Sequence, residues 1–161
     1  MTNFTGANVC DVVEIETYQP DVFSFGIASN DSKVSYYITQ TTNDIFRQLR
    51  IEWWSVYKTN VYTDITVLNT AEMVNTKINL DQFTRAGVYL FLSRYFLPSL
   101  SKFRPETEKD RFERMAEHYA SEYNKEWRAI LEDGVEYDSD AGGTISTSER
   151  EPLHGYRRLN R

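Results

Sequence analysis

Few residues of this 161-residue chain are of types that do acid–base, nucleophilic or metal chemistry, and their spacing decides how they are read. There are two histidines, His118 and His154, and one cysteine, Cys10. A zinc site takes closely spaced histidine and cysteine ligands, and this set supplies no such spacing. Glu117-His118 with Glu122 lacks the second histidine one turn away that a helical metalloprotease needs. Glu113 and Glu117 lie one helical turn apart, as a general acid and base would. With Lys109 and Arg114 beside them they read instead as a solvated charged face. Gly142-Gly143 lacks the lysine and the strand–helix setting of a phosphate loop. No set of titratable groups converges at a usable spacing. The chain is therefore expected not to be an enzyme, with no catalytic residue, no metal and no cofactor assigned.

Two other sets point to binding. Trp53 and Trp54 are neighbours, about 100° apart round a helix. One indole then faces the core and Trp54 is the candidate exposed partner contact; the alternative packs both inside. At the other end, Glu136, Asp138, Asp140, Gly142-Gly143 and Thr144 to Ser148 make an acidic, hydroxyl-rich stretch expected to be a flexible linker. From Glu149 to Arg161 the charge reverses, with four arginines against two glutamates, and apolar groups return at Leu153, Tyr156 and Leu159. A linker leading to such a segment suggests a tail that orders on a partner, or else a disordered terminus.

The elements that position these residues centre on two helices. The first starts with Asp81 as N-cap and is apolar on most sides through Val88, Tyr89, Leu90, Phe91, Leu92, Tyr95, Phe96 and Leu97. Such a helix is buried on most sides, in a domain core or between subunits. Arg85, Arg94 and its short length exclude a membrane span. Pro98 predicts a stop or kink at Leu97. The second helix is expected to open at Pro105 and end at Gly134. Phe112, Met115, Ala116, Tyr119, Tyr123, Trp127 and Ile130 recur along it every three or four residues as one apolar face.

Upstream, Val12–Glu16, Val22–Ile27 and Val34–Ile38 have strand character, and Ser29-Asn30-Asp31-Ser32 suits a turn. A β-hairpin is expected from about Val22 to Ile38. A helix follows from about Asn43 to Tyr57, then a strand or extended connector over Val61 to Val67. A short helical turn around Ala71–Val74 is a further candidate. The expected fold is α+β, mainly α: a helical bundle with a small N-terminal β-hairpin region and an extended C-terminal tail. Its expected parts are a β-rich or extended region (1–40), a helical core (41–134), and a flexible linker with a docking tail (135–161).

An apolar content of 40% with 14% aromatic residues suffices for one packed domain. A single cysteine excludes an internal disulfide framework and fits a reducing compartment. The first residues lack the basic and apolar regions of a signal peptide. The net charge of -6 argues against nucleic-acid binding, which needs a basic patch. It is compatible with lining a channel through which DNA passes.

The order of helix, connector, apolar helix, proline turn, acidic-then-aromatic helix and arginine-ending tail resembles the head-to-tail connector (adaptor) proteins of tailed bacteriophages. Three stretches carry the resemblance: TRAGVYLFLSRYFL within Phe83 to Phe96 and its flank, Pro105 to Trp127, and GYRRLNR from Gly155 to Arg161. The β-like N-terminal region departs from the family, whose members more often open with a helix. The resemblance implies a virion protein at the head–tail junction, made in the host cytoplasm and assembled as a ring, commonly of twelve copies. Its partners would be the portal protein and tail or neck proteins, with DNA only in transit during ejection and no membrane. The tail would enter the portal or a neighbouring subunit through Leu153, Tyr156, Arg157, Arg158, Leu159 and Arg161. The alternatives are a neck or tail-completion protein, or a small intracellular regulator that binds a host protein.

Overall fold

The computed structural model describes residues 8–101 and 110–150. Among them every regular element is helical, and β pairing is confined to one antiparallel bridge between Ile78 and Tyr137. The helical bundle is therefore present and the N-terminal β-hairpin is not. The expected helix start at Pro105 lies outside the described residues.

The chain divides into two compact units. The first takes Asn8–Thr42 and the described part of Phe83–Trp127. It opens with α1 (Val12–Tyr18), in a segment where a strand was expected. The reason is local: the Glu14 N–H donates to the Asp11 carboxylate at 2.8 Å while the Asp11 N–H donates to that of Glu14 at 2.8 Å. This capping box supplies partners for amides that a helix start leaves free. Val22–Phe25 is a 3-10 turn between Asp21 (φ 62) and Gly26 (φ 138), two left-handed positions that an extended strand cannot include. The presumed hairpin turn is a helix start, with the Lys33 N–H on the Asp31 carboxylate at 2.8 Å. From there α2 (Ser32–Leu49) runs unbroken. Val34 to Ile38 is short enough to fit either period. Over the whole segment the buried positions Val34, Ile38, Thr41, Thr42, Ile45, Phe46 and Leu49 obey the helical one.

The apolar helix forms this unit's centre. Asp81 is not its N-cap: Leu80–Phe83 is a 3-10 turn, followed by α5 (Thr84–Leu90; α3, Ser55–Val61, and α4, Ile65–Thr70, belong to the other unit). A π turn (Phe91–Phe96) and α6 (Leu97–Leu100) continue it, so the helix passes Pro98 and does not stop at Leu97. Proline removes one backbone donor, and the wider π turn just before it changes which carbonyls need one. Ala86, Val88, Leu90, Phe91, Leu92, Phe96 and Leu97 are all buried within the chain itself. Phe96 meets Phe23 edge-on at 5.4 Å and stacks on Phe91 at 5.5 Å. The last α-helix among the described residues, α7 (Arg111–Asp133), begins on a second capping box between Asp110 and Glu113. It ends at Gly134, whose φ of 101 and N–H bond to the Ile130 carbonyl make it the expected C-terminal glycine.

The second unit takes Asn43–Gln82 and the described residues from Arg128 onward. Helix α2 passes through a π turn (Arg50–Trp54) into α3 (Ser55–Val61), so the helix expected over Asn43–Tyr57 is the middle of a longer run. The Val61–Val67 segment is not a strand. It ends α3 and starts α4 (Ile65–Thr70), capped by the Asp64 carboxylate on the Thr66 N–H at 2.8 Å. The short turn expected at Ala71–Val74 falls instead at Asn75–Lys77. After Gly134 the expected flexible linker is packed: Val135, Glu136, Tyr137 and Asp138 are buried.

Close packing around α5 yields a testable consequence. A Cβ on Gly87 would lie 2.7 Å and 3.0 Å from the two γ-methyl carbons of Val9, which is itself buried. Overpacking costs about 1–3 kcal/mol, while Gly to Ala in a helix returns about 1 kcal/mol. Gly87→Ala is expected to lower stability in urea unfolding by about 1 kcal/mol. The double variant Val9→Ala/Gly87→Ala should lose that added penalty.

Candidate functional site

The second unit gathers the groups with most potential for binding. Trp53 and Trp54 lie on the π turn, Tyr57 one turn on, and Tyr137 comes from the return after Gly134. The Tyr137 ring centre is 5.5 Å from that of Trp53, 5.6 Å from Trp54 and 5.4 Å from Tyr57. Trp54 stacks on Tyr57 at 5.2 Å. Trp54 is thus not an exposed contact: it is 5% accessible, and its indole N–H donates to the Ala71 carbonyl at 3.4 Å. A helix alone would turn one of two adjacent tryptophans outward. Tyr137 covers both, so both are packed.

Beside this cluster lies a cleft of about 620 Å³, lined by Arg50, Trp54, Lys58, Met73, Val74 and Asn75 among others. Arg50 donates to the Asn75 side chain at 3.1 Å. Glu72 also lines it, so the cleft carries both signs of charge beside Trp54 and Met73.

The return continues into an acidic loop. Glu136 is buried and accepts hydrogen bonds from Asn79 and Arg150. The Asp138 carboxylate takes the N–H groups of Gly142 and Gly143, each at 2.9 Å. The Glu149 carboxylate takes the N–H and O–H of Ser146 and of Ser139. The bonds from the Ser146 N–H and O–H are the largest cause that holds its acid down at about 2, so it stays ionised. One oxygen from each of Asp138, Asp140 and Glu149 lies within 4.8 Å of the others.

Other residues singled out from the sequence lie apart from this region. Glu113 belongs to the cap of α7, and Glu122 pairs with Lys125 at 2.6 Å on an exposed face. His118 is exposed, with its ring against Tyr119. Cys10 is buried, which together with Glu14 and Asp11 pushes its thiol up to about 12 and leaves little thiolate. His154 and the tail set Leu153, Tyr156, Arg157, Arg158, Leu159 and Arg161 lie outside the described residues. The residues that sequence reading missed are Tyr137, Asp138, Asp140 and Glu149, all assigned to linker or tail. The chain matches no protein-family model, no curated protein sequence and no solved structure.

Burial raises the Tyr57 hydroxyl from 10.0 to about 12, helped by Tyr62, Tyr137 and Glu149 and opposed by Ser139. Below pH 10 the phenol is neutral in both folded and unfolded chains and has no effect on their balance. Between about pH 10 and 12 the unfolded chain ionises first, so stability falls as pH rises. Tyr57→Phe is expected to make the unfolding midpoint less steeply pH-dependent across that window, measured by denaturant titration at successive pH values. An unchanged slope would show that Tyr57 ionises as freely in the fold as outside it.

Proposed function

We propose that this chain is a structural subunit of a phage head-to-tail connector, forming a ring between portal and tail through which DNA passes. The observation that carries the reading is the set of aliphatic side chains left at the surface of the second unit. Ile51 and Ile65 are 64% and 66% exposed, and Val61, Val67 and Val74 are also exposed. Aliphatic side chains left exposed on one unit are available to be buried on assembly. Each isoleucine or valine buried on assembly supplies about 1.5–3 kcal/mol. The apolar helix does not contribute to this argument, since its own unit covers it. Two further features support the reading. Among the described residues the first regular element is a helix, in place of the β-like start that departed from the family pattern. The net charge of -6 suits a channel that DNA crosses without adhering.

In this reading the tail residues Leu153, Tyr156, Arg157, Arg158, Leu159 and Arg161 anchor the subunit to the portal or to its neighbour. The virion is its place of work. Sedimentation of the purified chain, alone and with a portal ring, tests the assembly. A closed ring on the portal is the expected outcome. Ile51→Asp and Ile65→Asp should each weaken ring formation at least tenfold without lowering the melting temperature, because neither side chain is packed within the subunit. A monomer that ignores the portal would overturn the proposal.

Truncation separates docking from folding. Removing residues 151–161 is expected to abolish portal docking. Removing 149–161 also takes away the Glu149 loop bonds and the Arg150 partner of buried Glu136. The longer truncation should therefore be less stable than the shorter one by about 2 kcal/mol in urea unfolding.

A further inference from the structure

We propose that the loop from Asp138 to Glu149 is a calcium-binding site. The segment reads DSDAGGTISTSE. Calcium loops of the helix–loop–helix type use twelve residues, with oxygen ligands at positions one, three, five, seven and nine, a chelating glutamate at twelve and a glycine at six. Here Asp138 stands at the first position, Asp140 at the third, Gly143 at the sixth, Ser146 at the ninth and Glu149 at the twelfth. Thr144 offers its backbone carbonyl at the seventh. The one departure is Gly142, which leaves the fifth position without a side-chain ligand.

The sequence register and the folded geometry are independent of each other. A chain can keep this spacing and never close on itself, and acids can converge without this spacing. In this protein the two coincide: the first, third and twelfth positions bring carboxylate oxygens within 4.8 Å of one another. Gly143 has φ 75, the left-handed turn for which the sixth position needs glycine. Amide N–H groups of Gly142, Gly143, Ser139 and Ser146 hold the acids in place. The Ser139 and Ser146 hydroxyls, which donate to Glu149, are free to rotate and turn an oxygen toward a cation. Every donor is oxygen, which favours a hard cation over zinc or copper. Six or more ligands, including a two-oxygen glutamate, fit calcium better than the compact octahedron of magnesium.

This proposal stands apart from the connector reading, since it holds or fails on a single chain. The experiment is calorimetric titration of the full-length, chelator-treated protein with CaCl₂ and, separately, MgCl₂, alongside thermal melting. One calcium per chain is expected, with magnesium weaker and the melting temperature raised by calcium. Asp140 is exposed and holds just the Gly142 N–H within the loop. Asp140→Asn should therefore keep the melting temperature without calcium and lose calcium affinity at least tenfold. Gly142→Asp restores the missing ligand. Its new Cβ would meet the Asp140 carboxylate end at 2.9 Å, a group able to turn aside. That variant should bind calcium at least tenfold more tightly. The proposal is overturned if about 1 mM calcium, the weak end of such sites, gives neither heat nor a melting shift. It is equally overturned if both variants leave the titration unmoved.

Discussion

The antiparallel pairing of Ile78 with Tyr137 ties the chain beyond α7 back to the extended segment before α5. It rests on two backbone bonds, Asn79 N–H to the Glu136 carbonyl at 3.1 Å and Asp138 N–H to the Lys77 carbonyl at 2.8 Å. The Gln82 side chain adds a clamp, donating to the Gly134 carbonyl at 2.7 Å and accepting from the Glu136 N–H at 3.0 Å. Because a strand alternates its sides, this register fixes where three consecutive residues go. Tyr137 reaches the tryptophans, while Glu136 is delivered to Asn79 and Arg150. Asp138 is left at the head of the acidic loop. A shift of one residue would exchange those roles and put a carboxylate where the ring belongs.

Burial of Glu136 shows how tightly the register is determined. A carboxylate in that position is tolerated when it is hydrogen-bonded and paired. Asn79 and Arg150 provide both, and Arg150 comes from beyond the acidic loop. The same 3-10 turn (Thr147–Arg150) carries Glu149, which accepts from Ser139 and Ser146. The loop is thus closed at both ends by adjacent residues, one reaching inward to the unit and the other back across the loop. Lys77 also donates to the Ser139 carbonyl at 2.8 Å, which ties the loop's second residue to the bridge.

Helix α7 was legible in the sequence, while α1 and the first half of α2 were not, for a physical reason. The apolar face of α7 repeats over many turns, so its period is unmistakable. Val34 to Ile38 spans too few residues to separate a period of two from one of 3.6. The cap at Asp31 uses the same residue types as a hairpin turn, since both exploit a side-chain oxygen near free amides. The candidate site was hidden for a different reason. Composition classes the stretch after Gly134 as linker because it is polar and glycine-rich. Its order comes from one aromatic residue, Tyr137, and from partners about fifty residues upstream that composition does not weigh. The Trp53-Trp54 pair was half legible: its helix could be read, but the ring that covers both indoles could not.

The bridge also couples two features that are far apart in chemistry. Tyr137 and Asp138 are neighbours, so the aromatic cluster and the acidic loop share one point of attachment. Three carboxylates held within 4.8 Å repel one another, and that repulsion acts on the backbone that carries Tyr137. The amide donors that surround Asp138 and Glu149 relieve part of it, and they do so with partial charges. A divalent cation would relieve it with a full one. A group that neutralised the loop would act on the return through the backbone that Tyr137 and Asp138 share. Charge on the loop and burial of the indoles are in this way two ends of one short, backbone-bonded segment.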